Sequence, residues 1–133
     1  MNKLKRILLI DDDPIQNLIN TKLLKRLEFS EEIHISVNGR EALEDYISKH
    51  DAPPDIIFLD INMPIMNGWE FLDLLVNKGW EKFPKIYMLT SSISPEDIQK
   101  SEDHPMVESY FTKPLSIDKL SKLKDSIFNP DLS

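Results

Sequence analysis

A chain of 133 residues that is 41% hydrophobic, 29% charged and free of cysteine has room for one compact domain and excludes disulfide and thiolate chemistry. Sixteen Lys and Arg against 23 Asp and Glu leave a formal charge of −7, which repels phosphate backbones and anionic lipid, so neither nucleic acid nor membrane is an expected partner. The opening Met1-Asn2-Lys3-Leu4-Lys5-Arg6 is positive like the start of an export signal, but the apolar run behind it ends at Ile10, and a cytoplasmic location is expected.

In chain order, short solid apolar runs alternate with stretches at helical spacing, the rhythm of strand-helix units. Ile7 to Ile10 is the first run. Asp13 then reads as an N-cap before Pro14, and Ile15, Leu18, Ile19, Leu23 and Leu27 are expected to form one core-facing stripe. Ile33, Ile35 and Val37 alternate with His34 and Ser36, a strand with one wetter face near a sheet edge. Leu43, Tyr46 and Ile47 mark a second helix. Ile56 to Leu59 is the third strand, and Trp69, Leu72, Leu75 and Val76 stripe a third helix that Gly79 stops. Ile86 to Leu89 forms the next strand, followed by a capped helix start at Ser94-Pro95-Glu96-Asp97. Ser109 to Thr112 is a weaker fifth strand, and Ser116 caps a helix striped by Ile117, Leu120, Leu123 and Ile127. Residues 129–133 are expected to be a short tail. Five such units are too few for an eight-fold barrel. The expected class is therefore α/β: one domain over residues 1–133, with an open five-stranded parallel sheet and five helices on its two faces.

The polar residues that follow the runs point to the chemistry. The first run ends in Asp11-Asp12-Asp13, the third in Asp60, the fourth in Thr90-Ser91-Ser92 and the fifth in Lys113. Open α/β sheets bind ligands at the carboxyl ends of their strands, where strand order reverses. If the order is 2-1-3-4-5, Asp11, Asp12 and Asp60 converge, with Thr90 and Lys113 entering from adjacent strands. Crowded carboxylates need protons or a cation. Oxygen-only donors favour a hard ion, and a cluster with room for water and phosphate oxygens suits Mg²⁺ better than a full Ca²⁺ cage. The contiguous Asp11-Asp12-Asp13 lacks the alternate-residue spacing of an EF-hand. A metal-bound Asp beside a hydroxyl and an ammonium is equipment for phosphoryl transfer to a carboxylate, with Asp60 as nucleophile and Thr90 and Lys113 on the phosphoryl oxygens.

At these residues the sequence resembles the receiver domain of two-component response regulators, CheY-like and single-domain, over nearly the whole chain. The resemblance rests on five stretches in order: Ile7 to Pro14, Ile56 to Met63, Met63-Pro64-Ile65-Met66-Asn67-Gly68, Leu89-Thr90-Ser91-Ser92, and Tyr110-Phe111-Thr112-Lys113-Pro114. It implies the 2-1-3-4-5 strand order and a signalling switch, not a metabolic enzyme. Asp60 would take a phosphoryl group from the phosphohistidine of a sensor kinase or histidine phosphotransfer protein. It further implies that Asp12 and Asp60 are the main Mg²⁺ ligands, with Asp11 acting through water and Asn62 through its backbone carbonyl. Thr90 and Lys113 would bind the phosphoryl group, and Tyr110 would turn inward as Thr90 moves. The first helix would meet the donor, and the surface of helix four, strand five and helix five would meet an output protein. Where the family usually has Gly-Ala, this chain has Asp103-His104-Pro105-Met106-Val107. Small polar residues at Asn62 and Ser92 imply a short or intermediate phosphoryl lifetime.

Other readings of the same residues stand beside these. Asp13 is a helix cap, Tyr110 is a packed aromatic or a switch, and Lys22, Lys25 and Arg26 are a solvated face or a docking surface. His34, His50 and His104 are expected at the solvent or an edge, and Trp69, Phe71 and Trp80 in helix packing or at the rim. An aspartyl-phosphate phosphohydrolase would need a second acid where Asn62 stands. A flavodoxin-like ligand carrier would need a phosphate loop where Asp11-Asp12-Asp13 stands.

Overall fold

The computed structural model describes residues 3–91 and 94–129. β1 (Leu4–Ile10) leads into α1 (Pro14–Arg26), and β2 (Ser30–Ser36) into α2. α2 is composite: α-helical at Gly39–Glu41, π-helical at Ala42–Tyr46 and 3₁₀ at Ile47–Lys49. β3 (Ile56–Asp60) precedes α3 (Gly68–Leu75), β4 (Lys85–Thr90) precedes α4 (Pro95–Asp103), and β5 (Val107–Thr112) precedes α5 (Ile117–Phe128). The five strands are parallel in the order β2-β1-β3-β4-β5. Of the tail expected at residues 129–133, only Asn129 lies among the described residues.

Successive side chains of a strand point to opposite faces, so the solid apolar runs feed two cores at once. Leu8, Ile10, Ile57, Leu59, Ile86 and Met88 pack with Ala42, Tyr46, Phe71, Leu72 and Leu75 of α2 and α3. Ile7, Leu9, Phe58, Tyr87 and Leu89 pack on the other face with Leu24 of α1 and Leu120 and Leu123 of α5. Each buried Leu, Ile, Met or Phe side chain among these contributes about 1.5–3 kcal/mol relative to exposure. Trp80 belongs to the first core, from the connection after α3 and not from a helix.

The caps expected from sequence form. Asp13 accepts from the Ile15 and Gln16 amides, Ser94 from Asp97, and Ser116 from Lys119. Gly79 ends the third helical segment at φ +73°, a left-handed conformation that glycine adopts without a Cβ clash.

Three stripes need correction. On α1, Ile15, Leu18 and Ile19 are 66%, 55% and 37% exposed, while Asn17, Asn20 and Leu24 are buried. The helix is turned so that the Asn17 Nδ2 donates to the Asp11 carbonyl at 2.9 Å, a demand at the end of β1 that the apolar spacing does not reveal. Only Leu23 and Leu27 of the expected stripe pack against the core. On β2, Ile35 is exposed, as is Val37 just past the strand's end, and Ser36 is buried, where its carbonyl accepts from the Asp11 amide. β2 is an edge strand as expected, with Ile33 packed against the α1–α5 core while Ile35 is in solvent. On α3, the α-helix closes at Leu75 and a 3₁₀ turn swings Val76 outward.

The turned α1 has a measurable consequence. Leu24→Ala is expected to cost about 2–5 kcal/mol in urea unfolding, whereas Leu18→Ser stays within about 0.5 kcal/mol of the parent. The reverse ranking would mean that Leu18 faces the core.

Candidate functional site

Parallel strands deliver their last residues to one edge of the sheet. Asp11 follows β1 directly, Asp60 and Thr90 are the last residues of β3 and β4, and Lys113 follows β5. β1 and β3 are neighbours although β2 lies between them in sequence, and this crossover brings Asp11 beside Asp60. Oxygens of Asp11, Asp12 and Asp60 lie within 4.8 Å of one another. Asp11 and Asp60 are buried; Asp12 is exposed.

Lys113 closes the cluster. Its Nζ is 2.7 Å from Asp11 Oδ2 and 3.3 Å from Asp60 Oδ2, and the ammonium is itself largely buried. The lysine is aimed by backbone: its amide donates to the Thr90 carbonyl at 2.8 Å, and Thr90 pairs with Thr112 across β4 and β5. The Lys113-Pro114 peptide is cis. Thr90 is 2% exposed at the same edge. Asp11 also accepts from the Asp13 amide through Oδ1 at 2.9 Å, and Asp60 from the Asn62 amide through Oδ1 at 3.3 Å.

The electrostatics follow from this crowding. Burial first, and then the charge of Asp11, push the Asp60 carboxyl up to about 7, against the opposing pull of Lys113 and the Asn62 amide. Burial pulls the Lys113 ammonium down, but the hydrogen bond and charge of Asp11 and the charge of Asp60 outweigh it and hold its pKa above the usual lysine value. One lysine therefore compensates two buried acids incompletely, and the remainder favours a proton on Asp60 or an additional cation. The donor set is made of hard oxygens with a cavity of about 630 Å³ beside it, which fits a small divalent ion with water or phosphate oxygens completing its shell.

Most sequence-predicted site residues meet here: Asp11, Asp12, Asp60, Asn62, Thr90 and Lys113 all lie at this edge. Tyr110 sits farther back on β5, opposite Met88 in register and half-buried against the α2–α3 core. Ser92 lies outside the described residues. Sequence reasoning missed Gln16, which lines the cavity together with Ser91 of the Thr90-Ser91-Ser92 run, and Asn17, which holds the Asp11 carbonyl. It also missed Gly68, where a Cβ would stand 2.7 Å from the Asp60 carbonyl oxygen, so the start of α3 packs directly against the acid's backbone. Gln16 was readable only from its place in the first turn of the helix that Asp13 caps; Gly68 had no signal beyond its place in the Met63-to-Gly68 stretch.

Residues 7–124 match the family model of the response regulator receiver domain. The chain belongs to the response regulator receiver family. The crystal structure of a two-component response regulator from Cytophaga hutchinsonii is 35% identical and superposes with a TM-score of 0.83, covering 96% of this chain and 98% of the other. Two-component response regulator 24 of Arabidopsis thaliana is 34% identical over 113 residues, 85% of this chain and 76% of its own length. Hybrid signal transduction histidine kinase A of Dictyostelium discoideum is 27% identical over 92% of this chain, which spans only 6% of that protein. Receiver domains of two-component systems are signalling domains with an acidic pocket, and the Asp11, Asp12 and Asp60 cluster fits the phosphoacceptor site of such a domain. Among the described residues no helix is long and apolar enough to cross a membrane.

A carboxyl raised in the folded state binds more protons there than in the unfolded chain between its ordinary 3.8 and about 7, so rising pH across that window removes stability. In chelator, the wild type is therefore expected to lose more thermal stability than Asp60→Asn between roughly pH 5 and pH 7.5. Parallel melting curves would show that Asp60 is not the strained acid.

Proposed function

We propose that this receiver domain is a phosphoacceptor switch that takes a phosphoryl group onto Asp60 from the phosphohistidine of a sensor kinase or a histidine phosphotransfer protein. The observation that supports it best is Lys113 lying within 3.3 Å of both Asp11 and Asp60, two acids delivered by strands that are separated in sequence and adjacent in the sheet. The hydrolase and carrier readings have no comparable support.

The reaction is a displacement at phosphorus. An Asp60 carboxylate oxygen bonds to phosphorus as the bond to the donor's imidazole nitrogen breaks, and the electron pair stays on that nitrogen, which then takes a proton. Asp60 must be ionised to attack, so Lys113 and a bound cation are needed to offset Asp11. Asp11, Asp12, Asp60 and the Asn62 carbonyl would hold Mg²⁺, which supplies charge neutralisation for the phosphoryl oxygens when bound. The Thr90 hydroxyl donates to one phosphoryl oxygen, and Lys113 exchanges its contact with Asp60 for another. The chain thereby promotes its own phosphorylation and dephosphorylation without turning over a separate substrate. With Thr90 drawn to the phosphoryl group, the space beside it accepts the Tyr110 ring, and the α4-β5-α5 surface changes for an output protein. A kinase and an output protein of this kind would be met in the cytoplasm.

The turned α1 supplies the donor's docking face. Ile15, Leu18 and Ile19 are exposed beside the acidic cavity's wall at Pro14 and Gln16, with Lys22, Lys25 and Arg26 exposed farther along the helix. This is an apolar patch with a basic end, the complement of a partner helix carrying both apolar and acidic residues.

Incubation with Mg²⁺ and acetyl phosphate is expected to add one phosphoryl mass to the wild type and none to Asp60→Asn; equal labelling of both would remove Asp60 from the role, and continuous release of phosphate from phosphomonoesters would support a hydrolase instead. Millimolar Mg²⁺ should also raise the melting temperature of the wild type more than that of Asp60→Asn, since it binds only the folded site. Leu18→Glu is expected to slow transfer from a phosphohistidine protein by about tenfold, equivalent to roughly 1.4 kcal/mol, while labelling by acetyl phosphate is unchanged. Equal slowing with both donors would assign the effect to the acid site and not to docking.

A further inference from the structure

A second concavity lies on the α2–α3 side of the sheet, a groove of about 820 Å³ between α3 and α4. None of the acidic-site residues lines it. Its floor is the indole of Trp69, the second residue of α3, bordered by Pro95, His104 and Pro105. The Trp69 Nε1 donates to Asp97 Oδ1 at 3.2 Å, so the one polar atom of the ring is satisfied across the helix pair. The Lys100 ammonium sits 5.7 Å from the ring centroid, and the His104 ring lies 6.3 Å away at an interplanar angle of 29°. Most of what remains toward solvent on the floor is aromatic and aliphatic carbon.

The rim is acidic. Asp73 stands one turn beyond Trp69 on α3, and Glu96, Lys100 and Asp103 share one face of α4 by their four- and three-residue spacing. Three exposed carboxylates thus ring the floor against one ammonium, and that ammonium is engaged with the indole. Asp103 is held in place by the Gln99 amide at 2.9 Å.

We propose that this groove docks a basic amphipathic segment of a partner protein, one apolar or aromatic side chain lying against Trp69 and Arg or Lys residues reaching Asp73 and Asp103. Charge selects this occupant. An acidic segment or a nucleic acid meets three carboxylates, whereas a basic one replaces their water with charge-assisted hydrogen bonds around a dry aromatic anchor. The inference goes beyond the phosphoacceptor reading and does not depend on phosphotransfer.

Random twelve-residue peptides displayed on phage are selected against the full chain, and the enriched peptides are synthesised and titrated by fluorescence anisotropy. The enriched peptides are expected to join Trp, Phe or Leu to Arg or Lys within one helical turn. Charge reversal by Asp73→Lys with Asp103→Lys, both exposed and therefore compatible with folding, is expected to weaken binding by about tenfold or more, with the loss diminishing as salt is raised. Trp69→Ala is expected to abolish binding, with the circular dichroism spectrum confirming its fold. Enrichment of acidic or uncharged peptides, binding that charge reversal leaves intact, or no enrichment over the charge-reversed variant would each overturn the proposal.

Discussion

The structure turns on an electrostatic constraint: two buried acids, Asp11 and Asp60, share one partly buried lysine at the carboxyl edge of a parallel sheet. Neither acid is stable there alone, because removing a carboxylate from water costs several kcal/mol unless it is paired. Lys113 satisfies them unequally, approaching Asp11 at 2.7 Å and Asp60 at 3.3 Å, and burial together with the charge of Asp11 pushes the Asp60 carboxyl up to about 7. The less compensated acid is the one with something still to gain from a cation or a covalent partner. A phosphoacceptor needs that property, since a fully paired carboxylate would be a poor nucleophile and a fully exposed one would gain little from the site.

Much of the surrounding architecture serves to keep this imbalance in place. The Asp11 carbonyl is held by Asn17, its side chain by Lys113 and the Asp13 amide, and the Asp60 backbone is pressed against Gly68 at the start of α3. Presenting Asn17 and Asn20 inward means that α1 exposes Ile15, Leu18 and Ile19 instead. The apolar patch beside the acidic cavity is thus a direct result of how the first acid is secured, and the same helix links the chemistry of the site to its accessible surface. On the other side, α3 begins at Gly68 against the Asp60 backbone, so one wall of the Trp69 groove is anchored at the site as well.

The sheet was legible because its strands are buried on both faces and so read as solid apolar runs, and the helix starts because Asp13, Ser94 and Ser116 cap through their own side chains. Asp11, Asp12, Asp60, Thr90 and Lys113 were legible for a related reason. Acids, a hydroxyl and a lysine placed directly after apolar runs are costly unless they have a common purpose. The orientation of α1 and β2 was not legible. Apolar spacing reports that one face of an element is apolar; of that face only Leu23 and Leu27 in α1, and Ile33 in β2, pack against the core.

The amino-acid order by itself determined the alternation of strands and helices, their caps and the polar residues at each strand end, because these are local properties of neighbours along the chain. Tertiary structure alone decided that Lys113 reaches Asp11 across 102 positions of sequence, that α1 turns its asparagines inward, and that Trp69 faces α4. The reason is the range of the forces involved. Propensity and capping act within a turn or two, whereas pairing a buried charge or completing a carbonyl's hydrogen bond recruits whichever group the packed topology brings within about 3 Å.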